Sequence, residues 1–306
     1  MSSTTERRLG EHQLTGRVIR LLSRTQDRRL RQIMRALIRH AHDFVRETEL
    51  TEAEWFAGIR FLTETGQMCG PTRQEFILLS DVLGISMLVD AINHRAPKGV
   101  TESTVLGPFY LNGAKALPHG ANIMRGKGGA PTVVSGRVLT PDGKPIASAL
   151  LDVWQTGPNA LYDVQDPKVR GQNLRGKFRT DAEGRFWFRT VKPVSYAIAN
   201  DGPVGKLLRR LGRHPFRPAH LHFKISARGY QPLTTHLFVK GDKYLASDAV
   251  FGVKDSLIAD FQRHTGGAAA KKYRVKAPFY TLDYDFRLKP ATAQPVKRLA
   301  QVLPAA

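Results

Sequence analysis

The hydrophobic period of this chain changes partway along, and that change limits what it can fold into. In "GRVIRLLSRTQDRRLRQIMRALIRHAHDFV" the apolar residues Val18, Leu21, Leu22, Leu30, Ile33, Met34, Leu37 and Ile38 recur near helical spacing, with arginines on the other face. Thr51 and Glu54 have the spacing of a capping box opening "TEAEWFAGIRFLTET". Thr72 and Glu75 repeat it ahead of "TRQEFILLSDVLGISMLVDAIN". "APKG" at 96–99 ends the helical part. From about residue 130 the period becomes two: "TVVSGRVL", the turn "PDGKP", "ALLDVWQT", the turn "DAEG", "RFWFRTV", "AHLHFKIS" and "THLFV". Short strands with Gly/Pro punctuation predict an antiparallel sandwich or barrel, with the β-sandwich the expectation. The fold class is therefore mainly β with a helical N-terminal part: residues 1–99 helical, 100–290 the sandwich, 291–306 a peripheral tail.

With 306 residues, 42% of them hydrophobic, the chain can build a sizeable core. Its single cysteine, Cys69, excludes an internal disulfide and a cysteine-ligated cluster within one chain, and predicts a reducing cytoplasm. No apolar run is long enough to span a membrane, and the first residues lack the apolar segment of a signal peptide. The formal net charge of +21 would suit nucleic acid or an anionic membrane surface, but no nucleic-acid-binding motif accompanies it. A generally positive, soluble surface is the favoured reading, with no specific nucleic-acid partner.

"FRPAHLHFKIS", at 216–226, places His220 and His222 two apart. On a strand, such residues share a face, about one metal ion apart. The spacing alone leaves a metal pair and a ligand-free pair both open. Tyr162 follows a strand in "WQTGPNALYDVQD", and Tyr196 lies beyond another in "TVKPVSYAIANDG". Each tyrosine alone reads as packing. Together with His-x-His they suit ferric iron, a hard cation that favours anionic oxygen and accepts imidazole. Two tyrosinates, two neutral histidines and a hydroxide would hold it ferric, since a bound metal can strip a phenol of its proton.

The motifs "LLSDVLGISMLVD", "TESTVLGPFY", "VSGRVLTPDGKPIASALLDVWQ", "LRGKFRTDAEGRFWFRTVKPVSY", "RPAHLHFKIS" and "SDAVFGVKDSLI" occur in this order. Through them the chain resembles the intradiol ring-cleavage dioxygenases over roughly residues 20–285. The resemblance implies one Fe(III) per subunit, held by Tyr162, Tyr196, His220 and His222. It implies that Tyr196 leaves the iron and takes a substrate proton, and that Arg217 stabilises charge developing on the substrate. The family often has Gly two residues before the first ligand tyrosine; here that residue is Ala160.

The substrates implied are an aromatic diol or triol and O2. In the family, catechol-cleaving members usually carry Gln where "PLTTHLF" has His236. That residue and "SDAVFGVK" resemble the hydroxyquinol-cleaving branch, with catechol or chlorocatechol cleavage as the alternative. By the same resemblance Leu78, Asp81, Val105, Leu106, Gly107, Ile198, His236 and Val250 line the substrate pocket. A homodimer through the N-terminal helices, with a phospholipid between them, is also implied. From other classes, a basic nucleic-acid or membrane-surface protein with a degenerate site and a zinc hydrolase remain as rivals. Paired tyrosines do not favour zinc.

Overall fold

The computed structural model of the chain describes residues 10–71 and 73–291; Thr72 of the second expected capping box, and the tail from 292 on, lie outside them. The chain divides at Thr63/Glu64 into two compact units.

In the first unit the apolar stripe from Val18 to Ile38 runs over two helices, α1 (Glu11–Leu21) and α2 (Arg28–Glu47). Asp27 starts the second by accepting from the backbone N–H groups of Arg29 and Leu30, at 2.7 and 2.9 Å. A third helix, α3 (Glu52–Gln67), opens on the expected capping box: Thr51 N–H donates to Glu54 Oε2 at 3.0 Å, and Glu54 N–H to Thr51 Oγ1 at 3.3 Å.

The second unit takes in the last residues of α3, then α4 (Glu75–Val82) and α5 (Ile85–Asn93), separated at Gly84 by a left-handed φ of +76°. Compactness thus joins these helices to the sheets, ahead of the expected boundary at 99/100. Glu75 does not cap its helix, which starts with Gln74 as its N-cap. Its carboxylate is fully buried, and buried charge needs partners. It finds them in Arg73 Nε at 2.9 Å and the N–H of Val204 at 3.2 Å.

Then come β1 (Pro131–Leu139), β2 (Leu150–Trp154), β3 (Arg175–Arg179), β4 (Arg185–Val191), β5 (Tyr196–Ala197), α6 (Pro203–Arg210), β6 (Phe216–Arg217), β7 (His220–Ser226), β8 (Leu233–Val239), β9 (Ile258–Ala259), β10 (Gln262–His264), α7 (Ala268–Tyr273), β11 (Phe279–Asp283) and β12 (Phe286–Arg287). In one sheet β1 is central, antiparallel to β4 and parallel to β11 and β12, with β10 outside β11. The other runs β3-β2-β7-β8-β9, antiparallel except for the parallel β8–β9 pair. β5 and β6 form a separate two-residue ladder.

The sandwich core lies between the two large sheets. Val134, Val138, Phe186 and Phe188 of the first meet Leu151, Val153, Phe178, Leu221, Phe223 and Ile225 of the second. Phe178 stacks on Phe188 at 4.9 Å between ring centroids. Each fully buried side chain of this kind stabilises the fold by about 1.5–3 kcal/mol relative to exposure. Among the described residues no helix is long and apolar enough to cross a membrane.

Candidate metal centre

Because β7 sends Leu221, Phe223 and Ile225 into the core, His220, His222 and Lys224 must face the other way. Strand register then lines up residues on that outer face. Arg175 of β3 lies opposite Trp154 of β2, Trp154 opposite His222, and His222 opposite His236 of β8. A second row holds Lys177, Asp152 and Lys224.

Loops bring the rest. Tyr162 comes from the segment after β2, and its hydroxyl lies 2.7 Å from His222 Nε2 and 3.3 Å from the Tyr196 hydroxyl. His220 Nε2 is 3.2 Å from His222 Nε2. In the small ladder Tyr196 pairs with Arg217, whose Nη1 reaches to 3.4 Å from His220 Nε2. All five side chains are buried. The four ligand residues inferred from the resemblance therefore converge on one point, with Arg217 beside them.

The donor chemistry fits a cation. His220 Nδ1 is 2.7 Å from the Pro218 carbonyl, which can only accept, so Nδ1 carries the proton and Nε2 turns a lone pair to the centre. Burial, then the Arg217 cation, pushes His220 down to about 3. Burial and then His220 hold His222 well below its ordinary value, and burial and then His222 do the same to His236. All three imidazoles are therefore neutral near pH 7 and free to act as ligands. Burial, then Tyr196, pushes the Tyr162 phenol well above its ordinary value, so it ionises only where a cation offsets the charge. Donors about 2.0–2.1 Å from a small cation stand about 2.8–3.4 Å from one another, close to the spacings here.

His236 makes a third imidazole of the cluster: one ring nitrogen from each of His220, His222 and His236 lies within 4.8 Å of the others. Its ring stacks on His220 at 4.6 Å, and neither of its nitrogens has a hydrogen-bond partner among the described residues. Leu78, Ile198 and Val250 pack with Tyr162 and Tyr196 in one apolar cluster. Asp81, on α4, is buried, and burial raises its carboxyl pKa above the ordinary value while a hydrogen bond with Ser86, and then Arg217, oppose the rise. Gly107 has φ +77°, and a Cβ there would stand 3.3 Å from His222 Cε1, so a side chain would crowd the imidazole. The Val105 backbone adjoins His236, while Leu106 is 38% exposed. Ala160 has φ +63°, in the left-handed region that favours glycine. Alanine tolerates it at a cost of about 1 kcal/mol.

Sequence reading missed the groups that hold these residues. Asp248 forks onto Arg217 at 3.0 and 3.2 Å. Burial alone would raise its carboxyl pKa, but Arg217 outweighs burial and keeps it below the ordinary value. Trp154 stacks on His222 at 4.5 Å, and Phe109 on Tyr162 at 4.5 Å. Arg175 forms a buried ion pair with Asp163, the neighbour of Tyr162. The sequence signal was thin: a lone acid in "SDAVFGVK", and an arginine on a strand that pattern reading passed over.

Comparison with known proteins agrees with this geometry. The family model described as Dioxygenase matches residues 105–290, and Catechol dioxygenase N terminus matches 27–101. A 6-chlorohydroxyquinol 1,2-dioxygenase of Cupriavidus pinatubonensis is 52% identical over 92% of this chain and 98% of its own. The solved hydroxyquinol 1,2-dioxygenase of Pseudomonas putida DLL-E4 superposes with a TM-score of 0.87 at 48% identity, covering 92% of this chain and 99% of that one. A catechol 1,2-dioxygenase of Candida albicans is 38% identical over 85% of this chain and 86% of its own. Matches of this extent, on a fold whose outer sheet face gathers two tyrosines and three histidines, place the chain in the intradiol ring-cleavage dioxygenase family.

Proposed function

We propose that this dioxygenase opens hydroxyquinol (benzene-1,2,4-triol) between its two adjacent hydroxyls with O2, giving 3-hydroxy-cis,cis-muconate, the enol form of maleylacetate. The observation that carries this reading is the convergence of two phenols and two imidazole nitrogens, 2.7–3.3 Å apart, beside a buried arginine. Fe(III) would be held by Tyr162, Tyr196, His220 and His222, because paired phenolates suit a hard trivalent ion better than zinc. When bound, it would template the diol oxygens and supply a hydroxide near neutral pH.

The chain's own groups do the rest. Tyr196, once ionised, accepts a proton from a substrate hydroxyl. Arg217 keeps its charge despite burial, because Asp248 pairs with it, and it faces the charge that develops on the ring. Leu78, Ile198 and Val250 present an apolar wall that excludes water. Asp81 can accept a hydrogen bond from the third hydroxyl beside the one it takes from Ser86, and His236 offers a buried ring nitrogen. Relatives named for hydroxyquinols share 43–52% identity with this chain, against 38% for the catechol enzyme, which supports the triol.

Oxygen uptake with hydroxyquinol and catechol side by side tests the reading. Hydroxyquinol should have the higher kcat/KM, because catechol leaves buried polar groups unpaired. Asp81→Ala should narrow the gap. Equal wild-type turnover of both substrates would remove the triol assignment and leave ring cleavage.

We also infer a homodimer built on the helices within 1–99. Leu37, Phe44, Trp55, Phe56, Leu62, Leu88 and Ile92 are all exposed there. Arg28, Arg31, Arg35 and Arg39 line one groove with Ile19, suited to a phospholipid headgroup. Light scattering that returned the mass of one chain would end the dimer reading. The lone cysteine suits a cytoplasmic enzyme.

A further inference from the structure

We propose that the buried Arg175–Asp163 pair is a positioning device for Tyr162, and that it fixes where the phenol oxygen stands. The proposal rests on the reading of Tyr162 as a metal ligand. Both side chains of the pair are only 2% exposed. Arg175 Nε donates to both Asp163 oxygens, at 2.8 and 2.7 Å, and Nη2 donates to Oδ1 at 2.5 Å. The backbone N–H groups of Asn173 and Val164 donate to the same carboxylate at 3.0 Å each.

Stability alone is a poor reason for such a pair. Desolvating two ions can cost as much as their attraction returns, and well-packed apolar replacements are often neutral or stabilising. What a planar guanidinium adds is direction: Nε, shared between both oxygens, and Nη2 on Oδ1 together set one orientation of the carboxylate. Here that orientation reaches Tyr162 by two routes. Asp163 is its neighbour in the chain, so fixing the carboxylate fixes the backbone that carries the phenol. The remaining arm, Arg175 Nη1, donates to the Phe109 carbonyl at 2.7 Å, and the Phe109 ring stacks on Tyr162 at 27° between planes. Arg175 itself stands in the strand row that carries Trp154 and His222. The row that sets an imidazole ligand therefore also sets a phenol ligand that comes from a separate loop.

Arg175→Lys keeps the charge and removes the fork. In the Fe(III) holoenzyme it should shift and broaden the visible phenolate-to-iron band, and raise loss of iron to a chelator about 10- to 100-fold, the usual effect of altering a group that orients a ligand. kcat should fall more than KM changes. A purely structural role would lower the melting temperature and leave the band of the folded, iron-loaded fraction in place. An unchanged band and unchanged iron release overturn the proposal. If Arg175→Lys does not fold, Phe109→Leu removes the stacking arm alone. It should move the band in the same direction as Asp163→Asn, and no movement in either overturns the proposal. Failure of the ligand reading looks different: a wild-type protein without the band, or a Tyr162→Phe variant whose band is unchanged in position and intensity, removes the basis of the proposal before any Arg175 variant is made.

Discussion

The two faces of the β3-β2-β7-β8-β9 sheet come from the same strands and follow opposite rules. The inner face is Leu151, Val153, Phe178, Leu221, Phe223, Ile225 and Leu237, all buried against the other sheet. Its contacts have no direction, and any side chain of the right volume serves. The outer face carries Arg175, Trp154, His222 and His236 in one row, and Lys177, Asp152 and Lys224 in the next. There, burial strips water from groups that need partners. Trp154 Nε1, His222 Nδ1 and both His236 nitrogens have no hydrogen-bond partner among the described residues. One face holds the fold together. The other keeps unsatisfied polar groups in place, which is useful only when something binds them.

The largest separation should come from truncating one group on each side. Arg217 lies over the outer face. Arg217→Ala should lower turnover per iron-loaded molecule about 100- to 1,000-fold, the usual cost of removing one electrostatic donor. Stranding Asp248 should also cost about 3–5 kcal/mol of stability, so turnover must be counted per folded, iron-loaded molecule. Leu221 lies on the inner face between the two histidines, fully buried. Leu221→Ala should cost about 2–5 kcal/mol, a fall in melting temperature on the order of 10 °C, with turnover per folded molecule kept. Stopped-flow turnover beside calorimetry reads both. If Leu221→Ala abolishes turnover at full iron occupancy, the faces are not independent.

That independence is also why the site was partly legible in sequence. Period-two alternation alone puts His220 and His222 on one face, and the capping box at Thr51 fixes a helix start from two residues. Local rules reach that far. The Asp163–Arg175 and Arg217–Asp248 pairs join segments whose meeting depends on topology rather than on spacing. β3 itself is short and polar on one side, Arg175, Lys177 and Arg179, so its pattern is weak until β2 supplies the partner strand. Glu75 has the capping-box spacing from Thr72; in the fold it is buried and paired with Arg73 and the Val204 N–H, which no local pattern announces.

The smallest effect should come from the second row of the outer face, where the polar groups do have partners. Asp152 lies opposite Lys177 and Lys224, with Lys177 Nζ at 3.5 Å. It accepts from the Tyr110 hydroxyl at 3.1 Å, and Lys224 Nζ sits 4.5 Å from the centre of that ring. Asp152→Asn should therefore leave turnover and the iron spectrum close to wild type. Its effect should appear in the pH dependence of stability. Burial raises the Asp152 pKa above the ordinary value, with the lysines only partly opposing it. The folded chain thus holds this proton more tightly than the unfolded chain. Below the unfolded value both states are protonated, and the residue contributes no difference. As pH rises through the folded value, the folded state must carry a charge it holds less well, and stability is lost. Asparagine has no such titration. The melting temperature of Asp152→Asn relative to wild type should therefore rise between pH 3 and pH 6. If it falls over that range, the lysines outweigh burial, and the second row is held by its charges rather than in spite of them.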